Sequence, residues 1–154
     1  MSDSTHRDVR ALFAHERSAV LSSAHAGHGG WPYASTVPYA INDDGDFVVF
    51  LSDIAEHTRN LLAEPRATLL VADPAARDAP QAGARHAAMV RAVRPEGVAA
   101  EAAEQCYFQR FPEAASMRQS HGFAAWVLMV ERVRWIAGFG AMGWLDRDAW
   151  QQAG

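Results

Sequence analysis

The sequence predicts a mainly β, α+β fold: a mostly antiparallel barrel of six or seven strands with peripheral helices. Three observations point there. Short runs of alternating or continuous apolar residues are separated by Gly, Asn, Asp and Pro turns; helical-period segments are inserted between some of them without regular βα alternation; and 154 residues, 49% of them hydrophobic, are enough for one core without metals or disulfides.

The opening stretch from Thr5 to about Glu16 reads as an amphipathic helix, with Thr5 and Asp8 spaced as a capping box and Val9, Leu12 and Phe13 on one face. The period then changes to two. Ser18 to His25 is a strand running into the turn Ala26-Gly27-His28-Gly29-Gly30, and Tyr33 to Ile41 is a second. Asn42 to Asp46 has hairpin-turn composition, and Phe47 to Leu51 is the third strand, so the first three strands are expected to form a meander. After Leu51 the pattern is helical, with Ser52 or Asp53 as cap, Glu56 three residues after Asp53, and Ile54, Leu61 and Leu62 as the apolar stripe. Pro65 ends it.

Ala67 to Ala72 is a short buried strand, and Asp73 to Gly83, with two prolines, is a loop. Ala84 to Val93 alternates Arg or His with apolar residues, as a strand with one wet face does. Glu96 to Arg110 is an Ala- and Glu-rich helix closed by Pro112, and its glutamates suit a solvated face. Two further strands, Phe123 to Val130 and Arg132 to Ala137, lead to the glycine-aromatic run Gly138 to Leu145. There, Phe139 or Trp144 can either fill the barrel end or shield a ligand.

Fourteen cationic and eighteen anionic side chains leave a net charge of −4, the wrong sign for a nucleic-acid partner. Every cation is arginine. With no lysine, Schiff-base chemistry is excluded, while the guanidinium fork still suits phosphate esters. Cys106 stands alone, which removes intramolecular disulfides and cysteine zinc sites and points to a reducing, cytoplasmic compartment. The charged amino end does not read as a secretory signal, and no apolar run reaches membrane-spanning length, so no membrane partner is expected.

The densest chemistry lies between Ser52 and Leu62, where a strand gives way to a helix start carrying hydroxyls, His57, Arg59 and Asn60. Free N–H groups and the helix dipole favour an anion there; the same residues also suit an ordinary capped helix, and Asp53 must point away from any phosphate. His25 and His28 flank the glycine turn without a third ligand nearby in sequence, so no metal site is expected. Arg85 and His86 either face solvent or reach across a dimer.

The run Ser52-x-x-Ala55-x-His57-Thr58-Arg59-Asn60-Leu61, preceded by Pro32-Tyr33-Ala34-Ser35-x-Val37-Pro38-Tyr39 and followed by Gly138-Phe139-Gly140-x-x-x-Trp144-Leu145, resembles the pyridoxamine 5'-phosphate oxidase-like FMN-binding family, and within it the haem-utilisation (HugZ-like) branch. The resemblance implies a six-stranded antiparallel split β-barrel, a homodimer, and FMN in a cleft between subunits. It places Ser35, Thr36, Val37 and Pro38 beside the isoalloxazine ring. Ser52, His57, Thr58, Arg59 and Asn60 then surround the ribityl phosphate, and the Gly138 to Leu145 tail can close the cleft, with Phe139 or Trp144 against the ring. The implied function is FMN-dependent oxidoreduction of a small-molecule substrate. The branch resembled implies, as alternatives, haem binding or haem breakdown, with His121 as a candidate axial ligand, or flavin binding without turnover.

Overall fold

The computed structural model describes residues 3–120 and 122–154. In chain order these form α1 (Asp3–His15), β1 (Ser18–Ala24), β2 (Pro32–Pro38), β3 (Ala40–Ile41), β4 (Phe47–Ser52), α2 (Glu56–Ala63), β5 (Arg66–Ala72), β6 (Arg85–Val93), α3 (Gly97–Arg110), β7 (Phe123–Ile136), β8 (Met142–Asp146) and α4 (Arg147–Gln152). The strands make one antiparallel sheet in the order β2-β1-β5-β6-β7-β4-β3, with β8 also on β7. The sheet curls so that β2 approaches β4, giving the expected split barrel with eight strands rather than six or seven.

Alternation decides what the barrel buries. Leu21, Leu69, Ala88, Val133 and Leu145 lie in register across β1, β5, β6, β7 and β8, and all are buried. Their neighbours Val20, Leu70, Ala87, Arg134 and Trp144 form the matching row on the outer face. Each fully buried leucine contributes about 2 kcal/mol relative to exposure. The barrel is plugged by α1 and α4. Phe13 of α1 meets Phe47 at 5.3 Å and Trp150 of α4 at 5.4 Å between ring centroids. The continuous apolar run of β4 has a different cause. Its second face, Val48 and Phe50, is covered by Tyr107, Phe108 and Phe111 from α3 and the residue that follows it.

Three expectations are corrected. The first strands do not form a meander: the β1–β2 and β3–β4 hairpins sit at opposite ends of the sheet path, because turn residues fix each hairpin but not what the hairpins pair with. The expected second strand breaks at Tyr39, whose hydroxyl donates to the Phe13 carbonyl and anchors the crossing. The two strands expected between Phe123 and Ala137 are one 14-residue strand. A bulge at Glu131, opposite Met89 and Val90, inserts one residue, and this keeps both Val130 and Val133 on the core side. The loop Asp73 to Gly83 holds two short 3₁₀ turns, and another runs from Pro112 to Gln119. No helix among the described residues is long and apolar enough to cross a membrane.

Candidate functional site

The site grows from the contact between β2, which pairs only with β1, and the first turns of α2. Ser35 points from β2 toward His57, and the serine Oγ lies 3.3 Å from the imidazole Nδ1. Burial pushes the His57 pKa below its ordinary value, so the ring is neutral at pH 7. Beside this pair, the His25 Nε2 meets Glu56 Oε2 at 3.2 Å, and His25 Nδ1 accepts the Gly27 N–H at 3.1 Å. These contacts bind the β1–β2 turn to the helix start.

The expected cap is corrected. Ala55 occupies the N-cap of α2 and makes no side-chain cap bond. Ser52 falls one turn too early, where its Oγ accepts the Ile54 N–H at 3.4 Å. Asp53 turns to Arg94, 3.5 Å away, so it does point away from the helix start. The N-cap of α2 therefore supplies its first-turn N–H groups with no side-chain acceptor, and Arg59, exposed nearby, is in no ion pair among the described residues.

Several named residues turn out to serve the fold. Thr58 is fully buried and donates to the Ser52 carbonyl at 2.6 Å. Asn60, also fully buried, donates to Ser23 Oγ at 3.1 Å and accepts the Ala26 N–H at 2.9 Å. Val37 faces the core, so only its backbone remains for a ligand, whereas Thr36 and Pro38 face outward. Ser35, Thr36, Pro38, His57 and Arg59 thus keep side chains that a ligand can reach.

Trp144 is not among them within one chain. It sits on β8, which pairs with β7, and its side chain lies in the outer row with Val20 and Thr36, whereas Ser35 lies in the inner row with Leu21. Its ring lies under two guanidinium groups, Arg132 at 4.4 Å and Arg134 at 5.5 Å. With Leu70, Met89 and Met142 it makes an exposed apolar and cationic outer face. Sequence reasoning missed that face, although the alternation of arginine with apolar residues in β6 and β7 signals it. Arg85 curls back onto the carbonyls of Pro80, Gln81 and Gly83, and His86 is buried under Phe13, so neither reaches outward. A cavity of about 920 Å³ lies between α1, α3 and the β3–β4 hairpin and is lined by none of these residues. His121 lies outside the described residues.

The CREG beta-barrel family profile matches residues 3–152, nearly the whole chain. The chain belongs to the CREG beta-barrel family. Among solved structures, this CREG-family chain is similar to a heme-binding protein from Mycobacterium smegmatis, with 33% identity and a TM-score of 0.86 over 99% of this chain and 61% of that one. It is 34% identical over 68 residues to the chloroplastic non-canonical heme oxygenase HOZ of Arabidopsis thaliana, which is 44% of this chain and 21% of that protein. The chain thus spans less than two thirds of either relative. A pyridoxinephosphate oxidase-family protein from Clostridium acetobutylicum shares the fold alone, at 10% identity and a TM-score of 0.73 over 96% of this chain and 98% of that one.

Proposed function

We propose that this protein binds haem. The observation that carries the reading is 33% identity, along 99% of the chain, to a protein named for heme binding. The residues present fit such a group. An iron porphyrin needs a neutral nitrogen donor, apolar surface for its ring and cations for two carboxylates. Around the start of α2 the chain offers His57, the exposed side chains of Trp31 and Ile54, and the guanidinium group of Arg59. Haem, when bound, supplies an iron centre for oxygen and electron chemistry. The protein's own part is to orient it, shield it and compensate its charge.

The outer face also carries a proposal of homodimerisation. Within one chain Trp144 lies on the outer face and Ser35, the partner of His57, in the inner row, so a second copy laid on the exposed row of β5, β6 and β8 would bring an aromatic wall to the β2 edge. Haem breakdown, with a small-molecule reductant in a reducing cytoplasm, is the activity this assembly would suit.

Haemin titrated into purified protein is expected to give a sharp Soret band with saturable 1:1 stoichiometry. A broad band matching free haemin would refute the reading. FMN remains the second reading, favoured by one observation: α2 opens without a capping side chain, Arg59 is in no ion pair among the described residues, and Asp53 is drawn off by Arg94. Quenching of flavin fluorescence on adding protein, lost in Arg59→Ala, is its test. Under that reading the protein is an FMN-dependent oxidoreductase or a flavin carrier.

A further inference from the structure

We infer that His57 is the axial ligand to haem iron, held for that role by Ser35; this inference rests on the haem reading above. A histidine ligand gives iron a neutral ring nitrogen, and it is usually oriented by a hydrogen bond from the other nitrogen to a fixed acceptor. Each described histidine can be tested against those two requirements.

His25 fails the first, since Nδ1 accepts from Gly27 and Nε2 is left carrying the proton that faces Glu56. His86 is 2% exposed, with Nδ1 accepting the Ile136 N–H, so no porphyrin reaches it. His28 is exposed and meets only the His25 ring, at 4.7 Å between centroids, with no acceptor to fix it. His15 does have an acceptor, Glu16 Oε2 at 3.3 Å from Nδ1, but its side chain is 81% exposed on the surface of α1 and so offers a porphyrin no enclosing wall, and His6 has no orienting hydrogen bond among the described residues.

His57 meets both. Its Nδ1 has the Ser35 hydroxyl as acceptor at 3.3 Å, in the tautomer that leaves the Nε2 lone pair outward. Nε2 has no protein partner among the described residues, and it is not among the sealed, unpartnered polar atoms, which are the indole nitrogens of Trp126 and Trp135. The ring is half-buried rather than enclosed. The ring stands on α2 against β2, a strand that among the described residues pairs with β1 alone. Large apolar side chains are exposed directly before both elements that form the pair, Trp31 before β2 at 75% and Ile54 ahead of α2 at 80%. Both invite the apolar rim of a macrocycle. A serine nucleophile activated by His57 is the rival use of the same pair, but no carboxylate among the described residues orients this histidine.

The test is haemin binding followed by absorption, electron paramagnetic resonance and resonance Raman spectra on the full chain. Wild type should show a histidine-ligated spectrum. His57→Gly should lose it and regain it on adding free imidazole, a rescue that also proves the variant folded. Ser35→Ala should keep the ligand, shift the iron–imidazole stretching band and weaken binding about tenfold. His28→Ala should match wild type. If wild type binds haem and His57→Gly leaves its spectrum unchanged, the inference is overturned while the haem reading stands. If wild type does not bind haem, both fall. Labelling of Ser35 by a fluorophosphonate would assign the pair to hydrolysis and also overturn the inference.

Discussion

Asn60 donates from its amide to the Ser23 hydroxyl, 3.1 Å away, at the point where α2 crosses β1. Its other end accepts the Ala26 N–H, so one side chain holds the helix, the strand and the turn that leads to β2. Asn60→Ala would leave two polar groups unpaired, and a loss of about 2 kcal/mol in urea unfolding is expected. The haem spectrum of the folded variant should be that of wild type. An altered spectrum with unchanged stability would make Asn60 a ligand contact instead.

Asp46 and Arg147 form the second tie. The guanidinium reaches both carboxylate oxygens, at 2.9 and 3.2 Å, while the Val130 N–H also binds Asp46 at 2.9 Å. Asp46 is 4% exposed, so Asp46→Ala leaves an N–H and a charge without their partner. The expected cost is about 3 kcal/mol in denaturant unfolding. Arg147→Lys, which cannot make the two-pronged contact, should cost roughly 1 kcal/mol. A double-mutant cycle that shows no coupling between the two positions would refute this tie.

Stability should fall in acid through two histidines. Burial lowers the pKa of both His86 and His57 below the ordinary 6.5. The unfolded chain therefore binds protons first as pH drops, so stability is complete above about 6.5 and is lost as pH falls from there toward the folded-state values. Thermal melts between pH 8 and pH 5 should show this fall, with a shallower slope in His86→Gln. A melting temperature flat over that range would contradict it.

The outer face predicts its own variant. Met89, 45% exposed, lies beside Leu70 and Arg132 on the surface proposed to meet a second copy. Met89→Glu places a charge there without touching the core. Sedimentation should change from dimer to monomer, with the thermal melt of the monomer still cooperative. A wild type already monomeric at tens of micromolar would refute the dimer.

Much of the fold was legible because it is written locally. Gly and Asn at the turns, the alternation in β1 and β6, and the helical stripe of α1 each declare an element within a few residues. The bulge at Glu131 was not legible, since two exposed residues in succession look like a break until the partner strand shows that pairing continues. At the site, the sequence marked Ser35 and His57 separately but could not pair them across 22 residues. Thr58 and Asn60 came in with the family resemblance and suited it by their polarity, and polarity does not say whether a group faces a ligand or satisfies the chain's own backbone.

By itself, then, the sequence determined the kind of fold, the alternation that builds the barrel, and a polar helix start after β4, because these depend on periodicity and on turn chemistry between near neighbours. Only the tertiary structure decided which polar groups were consumed. Burial forced Asn60, Thr58 and His86 to find partners inside the molecule. The same packing left His57, with one nitrogen held by Ser35, a second nitrogen that has no protein partner among the described residues.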